Sequence, residues 1–211
     1  MIRLVKVPNW IQQMFKNRLW QVNTKEKELY LTFDDGPHPL HTLFVLDELK
    51  KYNAKATFFC IGKNVAAYPD VYKRILEEGH AVGNHTYDHP NAWRIPNVEY
   101  LQNIAKASNY IDSRLFRPPY GKINSFLVNQ LASGDSPFTT VMWSVLSYDF
   151  DQTIPKERCL KNVLLNSTSG SIIVFHDSDK ASDRMRYALP KVLEYFAEKG
   201  FCFERIKGEK A

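Results

Sequence analysis

The stretch Leu29-Tyr30-Leu31-Thr32-Phe33-Asp34-Asp35-Gly36-Pro37 decides how the rest of the chain is read. A strand-forming apolar run ends in two adjacent carboxylates and a turn-forming Gly-Pro, so the strand carries both acids to its C-terminal end. Alone, Asp-Asp-Gly-Pro is explained as well by an ordinary polar turn. Its meaning depends on what the other strand ends carry.

Downstream the same unit repeats. A helix is predicted over 42–52, presenting Leu43, Leu46 and Leu49, and ATFFCI (56–61) reads as the second strand. Pro69, a good first helical residue, opens a helix that runs to Gly79, a good stop, before the strand HAVGN (80–84). Asn97 can cap a helix carrying Leu101, Ile104, Ala105, Ser108 and Ile111, which leads to a short strand at 115–117. Helices at 124–133 and 155–165 flank the strand TTVMWSV (139–145). SIIVF (171–175) follows, then a helix over 185–199 that stops at Gly200 before FCFERI (201–206). Strands alternating with helices imply parallel strands joined by crossovers. The fold class is therefore α/β, and about seven units favour a closed or nearly closed (β/α) barrel over an open doubly wound sheet.

Upstream, Trp10, Ile11, Met14, Phe15 and Leu19 recur at helical spacing behind Asn9, with Gln12 three residues on as in a capping box. This helix is expected to close one end of the fold rather than to lie on a membrane, because its polar face carries only Lys16 and Arg18 as cations. Residues 1–28 are then an N-terminal extension packed on the barrel, 29–206 the barrel domain itself and 207–211 a polar tail.

A length of 211 residues suits one domain. No stretch approaches the roughly 20 apolar residues that span a bilayer. The N-terminus MIRLVKVPNWIQQMF lacks the apolar core and small-residue cleavage site of a secretory signal, so a cytoplasmic location is expected. Cys60, Cys159 and Cys202 are far apart and in no CxxC spacing, which favours reduced structural thiols over disulfides or a cysteine metal site. The net charge of +5 is spread along the chain among acids, with no dense basic run, which argues against nucleic acid as a partner.

Asp34-Asp35, Asn84-His85, Arg117, the Ser147–Asp151 stretch and His176-Asp177 all fall at or just past the C-terminal end of a predicted strand. In a parallel barrel those ends share one rim, where active sites of such barrels sit. In His85-Thr86-Tyr87-Asp88-His89 the two imidazoles are four residues apart, on one face of a helical turn, within reach of one cation. With a strand-end carboxylate they make a His, His, Asp set that suits Zn²⁺ or a similar borderline metal and leaves room for water. Asp88 more readily caps or faces solvent. In Arg117-Pro118-Pro119-Tyr120-Gly121 two prolines stiffen the backbone, and a guanidinium beside a carboxylate keeps it ionised and oriented. His38 and His41 could line the groove, although a surface role explains each more simply.

The order TFDDGP, NHTYDH, RPPYG, a strand-end acid after Trp143, and IIVFHD resembles the polysaccharide deacetylases, also called the NodB-homology domain or carbohydrate esterase family 4. The resemblance runs from about Leu29 to Phe203. It implies a distorted (β/α) barrel and a metal-dependent amide hydrolase that removes acetyl groups from N-acetylated glycans. By motif position, Asp34 resembles the catalytic base, and Asp35, His85 and His89 the ligands of one divalent ion, Zn²⁺ before Co²⁺ or Ni²⁺. Arg117 resembles the residue that positions the base, Tyr120 the donor of a backbone N–H to the oxyanion, and His176 the general acid, tuned by Asp149. Tyr120, Phe150 and Pro119 are expected to contact substrate. Two motifs depart from the family pattern. Leu146-Ser147-Tyr148-Asp149-Phe150 lacks the first acid of the usual Asp-x-x-Asp-Trp and has phenylalanine for the tryptophan, and Val174 replaces a leucine. These changes bear on substrate fit, which leaves open a non-sugar amide substrate or an inactive glycan-binding relative.

Overall fold

The computed structural model describes residues 4–133 and 137–207. Residues 1–3 of the expected extension and 208–211 of the expected tail lie outside the described residues. In chain order the elements are α1 (Asn9–Met14), β1 (Glu28–Asp34), α2 (His41–Lys51), β2 (Ala56–Cys60), α3 (Gly62–Ala67), α4 (Pro69–Glu77) and β3 (Ala81–Asn84). They continue with α5 (Asn97–Ser108), β4 (Leu115–Phe116), α6 (Ser125–Ser133), β5 (Thr139–Thr140) and β6 (Val145–Leu146). The last are α7 (Lys156–Leu164), β7 (Ile172–His176), α8 (Ser182–Glu198) and β8 (Cys202–Phe203).

The strands pair in parallel in the order β5-β4-β3-β2-β1-β7-β6, with β8 beside the start of β1. The two ends of that order are consecutive in the chain. The sheet therefore curls until β5 and β6 are joined by 141–144, which gives the expected distorted (β/α) barrel in place of an open sheet.

Alternation along β1 builds two layers. Leu29, Leu31 and Phe33 pack outward with Val45, Leu46 and Leu49 of α2 and with Met185, Leu189 and Val192 of α8. Tyr30 packs inward with Phe59, Leu115, Val141 and Ile172, and Thr32 and Asp34 continue the same row. A strand buried on both faces reads as an unbroken apolar run, which is why this stretch was so legible. Gly83 on β3 makes room for the inward Phe59 ring, into which any Cβ there would run.

Several boundaries differ from expectation for identifiable reasons. TTVMWSV is not one strand. The carbonyls of Val141 and Met142 accept from the Arg117 side chain at 3.3 and 2.9 Å, and the Met142 N–H donates to Leu19 at 2.7 Å, so the ladder breaks between β5 and β6. The N-terminal extension lines that break. Leu19 donates to the Thr140 carbonyl (2.8 Å), Val7 to Ser144 (2.9 Å), and Leu146 back to Val5 (2.9 Å). Closure thus comes from extended backbone more than from α1, which has no buried residue. Trp10 and Met14, expected on its packed face, are exposed, while Ile11 and Phe15 pack against Val7, Trp20 and Met142. Neither asparagine caps its helix. Pro8 precedes α1 and Gln12 donates to the Val7 carbonyl (3.0 Å), whereas Asn97 is the first residue of α5 and its oxygen accepts from Asn124 (3.0 Å). Helix α3 was not foreseen, and only Cys202–Phe203 of FCFERI is strand. The three cysteines are free. Among the described residues no helix is long and apolar enough to cross a membrane.

Candidate active site

Asp34 ends β1 on its inward row, nearly buried, and Arg117 meets it from just past β4. One guanidinium nitrogen donates to Asp34 Oδ1 and Thr32 Oγ1, both at 2.7 Å; the others take the Val141 and Met142 carbonyls. The guanidinium carbon lies 4.0 Å from the centroid of the Phe59 ring. Arg117 is fully buried, and a buried charge is tolerable only when paired and fully hydrogen-bonded, as here. The network fixes one carboxylate oxygen of Asp34 and leaves the group on the cavity wall.

The next residue, Asp35, has left-handed backbone (φ 82°), so its side chain turns away from that of Asp34. Its Oδ1 lies 3.3 Å from His89 Nε2 and 3.8 Å from His85 Nε2. His85 Nδ1 donates to the Arg117 carbonyl at 2.7 Å, which leaves the Nε2 lone pair free to coordinate. Burial, with His89 beside it, lowers the His85 imidazole to about 3, so it is neutral as a metal ligand must be. Burial also lowers His89. The two histidines do not share a helical turn. Thr86 and His89 have positive φ, and side chains satisfy the loop: Asn84 Oδ1 accepts from Thr86 N–H (2.8 Å), Thr86 Oγ1 from His89 N–H (3.0 Å). Asn103 Oδ1 accepts from Tyr87 and Asp88, and the exposed Asp88 stays outside the ligand set. The donors still converge, because the loop is pinned at each turn.

A second His, His, Asp cluster, His38, His41 and Asp179, has its donor atoms equally close. Its hydrogen bonds give it another character. His38 Nδ1 accepts from the Leu40 and His41 N–H groups, and His41 Nδ1 faces Arg186 at 3.3 Å. Both Nε2 atoms then carry the proton; that of His41 donates to Asp179 Oδ1 at 2.8 Å and that of His38 lies 3.4 Å from the same oxygen, which suits a latch between the loops after β1 and β7 more than a cation site.

His176 ends β7. Its Nδ1 donates to Asp149 Oδ1 (2.8 Å) and its backbone N–H to Oδ2 (2.6 Å). Burial pulls this imidazole down, but Asp149, helped by Asp35 and Asp34, outweighs it and pushes the group up to about 9. Asp149 is fully buried, with its carbonyl accepting from Arg184 at 2.6 Å. Asp177, to which sequence reading gave no role, is buried under the Gly36–Pro37 turn. It accepts from the Gly36 N–H at 2.9 Å and from the Thr42 hydroxyl, and burial pushes its carboxyl up to about 7.

The rim encloses a cavity of about 350 Å³. Asp34, Asp35, His85, His89 and His176 share it with Tyr120, whose ring stands edge-on to His89 at 4.7 Å, and Phe150, edge-on to His176 at 5.1 Å. Tyr120 is in the left-handed region (φ 61°), strain of about 1–3 kcal/mol of the kind that collects at functional sites. Pro119, expected as a substrate contact, is buried behind the turn, and Pro118 lines the cavity instead. Trp143, Leu146 and Val174 form an apolar wall; Ser178 and Lys180 were not foreseen.

Comparison with known proteins bears on the family and the fold. The family model described as polysaccharide deacetylase matches residues 21–135. A peptidoglycan-N-acetylglucosamine deacetylase of Bacillus cereus is 39% identical over 184 residues, 83% of this chain and 66% of that protein, so the chain spans just under two thirds of its length. A chitooligosaccharide deacetylase of Azorhizobium caulinodans is 36% identical over 166 residues, 74% of this chain and 77% of its own. A crystal structure of a peptidoglycan N-acetylglucosamine deacetylase in complex with 4-naphthalen-1-yl-N-oxidanyl-benzamide superposes with a TM-score of 0.85 at 33% identity, covering 95% of each chain. With the motifs, the barrel and the rim in accord, the chain belongs to the polysaccharide deacetylase family.

Proposed function

We propose that residues 29–206 form a metal-dependent N-deacetylase that hydrolyses the acetamido group of N-acetylglucosamine-type sugars, in a peptidoglycan- or chitin-like glycan, to free amine and acetate. One observation carries this reading. A carboxylate fixed by a buried arginine and an imidazole fixed by a buried carboxylate line a single cavity together with the Asp35, His85 and His89 donor set. That is the equipment of amide hydrolysis, which needs a base for water and an acid for the nitrogen.

Asp35 and the Nε2 atoms of His85 and His89 fit a borderline divalent ion, Zn²⁺ best, with Co²⁺ or Ni²⁺ able to take the same set. Such an ion, when bound, lowers the pKa of water and polarises the acetyl carbonyl. Asp34, oriented by Arg117, takes the proton of the attacking water. The Tyr120 N–H hydrogen-bonds the carbonyl oxygen as negative charge builds there. His176, charged because of Asp149, gives its Nε2 proton to the departing nitrogen, which is otherwise a poor leaving group. Phe150 and the Tyr120 ring flank the sugar. The N-oxidanyl-benzamide held by the structural relative is a hydroxamic acid, a group that chelates divalent cations, and this supports the metal.

The test compares acetate release from chitin oligomers, peptidoglycan fragments and simple linear amides by the metal-loaded protein. Release from the glycans is expected. Release from simple amides alone moves the substrate out of the sugars, and glycan binding without release makes the chain an inactive relative.

A further inference from the structure

Lys180 is the only lysine or arginine among the residues that line the cavity. It sits in the loop between β7 and α8, four residues past His176. Its ammonium lies 5.7 Å from the centroid of the Phe150 ring, the same ring that His176 meets edge-on at 5.1 Å. Both groups meet the one ring, so the ammonium and the imidazole lie at most about 11 Å apart, within reach of one substituted sugar or its neighbour. The loop is held in place: the Lys180 carbonyl accepts from Arg184 at 2.8 Å, and the same guanidinium donates to the Asp149 carbonyl at 2.6 Å. The Lys180 backbone is thus tied to the segment that carries Asp149 and Phe150.

Among the described residues no carboxylate forms an ion pair with this ammonium, although the cavity contains two. Asp34 is engaged by Arg117, and Asp35 lies against the histidines and Ser178. Lys180 is exposed, so a charge brought by the substrate can reach it. A neutral glycan offers it hydroxyl oxygens, and a carboxylate offers a stronger, charge-assisted acceptor.

We infer that Lys180 is a specificity-determining residue which binds a carboxylate of the substrate, so that the site selects N-acetylated glycans bearing an acidic substituent on, or next to, the sugar that carries the reacting acetamido group. The inference rests on the proposed deacetylation and narrows its substrate class. A lactyl ether at O3 has the required chemistry, because that oxygen is on the carbon next to the one carrying the acetamido group. A relative of 36% identity over 167 residues is a peptidoglycan-N-acetylmuramic acid deacetylase, whose named sugar carries such a group. The chain's net charge of +5 favours approach of an anionic polymer over a neutral one.

The experiment uses the metal-loaded 211-residue chain and a matched pair of fragments, one with a free lactyl carboxylate and one with that carboxylate converted to its methylamide. The readout is the ratio of kcat/KM for the pair, with Kd for the same fragments measured in parallel. A charge-assisted contact at a partly exposed site predicts a ratio of roughly tenfold in favour of the acid, decreasing with salt. The ratio is expected to fall close to one in Lys180→Gln and to be kept in Lys180→Arg. A wild-type ratio near one, or a tenfold ratio that survives in Lys180→Gln, overturns the inference. A Kd preference carried by Lys180 without acetate release supports the contact and removes only the proposed reaction.

Discussion

Asp149→Asn tests the acid arm of the site most sharply. The carboxamide keeps the size and one acceptor of the side chain, but loses the charge that faces His176 Nδ1 at 2.8 Å and can no longer accept from both that nitrogen and the backbone N–H at 2.6 Å. Burial then acts on the imidazole unopposed by its main partner, and the group falls from about 9 to below the ordinary 6.5. Such a fall removes roughly 3 kcal/mol of preference for the charged form. At pH 8 the protonated fraction drops about thirtyfold, and the rate of nitrogen departure drops with it. The assay is the pH dependence of kcat/KM for acetate release. Wild type should lose activity on a limb near pH 9, and the variant on a limb below pH 6.5. A basic limb that stays near pH 9 in the variant would refute the pairing as the source of the acid. Because the folded pKa is raised, the pair's contribution to stability is complete below pH 6.5 and is lost as pH rises through about 9. The urea midpoint of the wild type should fall across that window.

Further outcomes follow from the same contacts. Equilibrium dialysis should find one divalent ion per chain, lost in His85→Ala and retained in His41→Ala; two ions per wild-type chain would contradict the tautomers assigned to the second cluster. Arg117→Ala leaves Asp34 buried without its cation and two carbonyls without donors, and should cost about 3–5 kcal/mol in urea denaturation; a loss under 1 kcal/mol would mean that the network relaxes freely. Asp177 has a raised folded pKa as an acid, so it penalises folding progressively as pH rises from about 4 to about 7. Asp177→Asn should flatten the pH dependence of stability in that range, measured by thermal unfolding, while an unchanged slope would place the titration elsewhere.

The parts of the fold legible in the sequence are those set by burial. β1 and β7 are covered on both faces, so their apolar runs and the polar residues that end them stand out. The same run-then-acid signal located Asp34, Asp35 and His176 on one rim. Local spacing misled where side chains replaced backbone partners. His85 and His89 have the spacing of a helical face, but Asn84, Thr86 and Asn103 satisfy the loop in another conformation. TTVMWSV has strand composition, yet Arg117 takes two of its carbonyls from a position 24 residues away in sequence. Lys180 carries no local sign of its place, because lysines are common at loop tips and only the fold brings this one to the cavity. Asp177 stood next to a recognised histidine, and its burial under Gly36 could not be read without the β1–β7 pairing.

The central claim is that this chain is a metal-dependent deacetylase, and acetate release from an N-acetylated glycan fragment before and after removal of bound metal tests it most directly. Chelated, dialysed protein should release no acetate, Zn²⁺ should restore release, and Asp34→Asn reloaded with Zn²⁺ should be slower than wild type by roughly 10²- to 10⁴-fold. Full activity in the metal-free protein, or wild-type rates in Asp34→Asn, would contradict it.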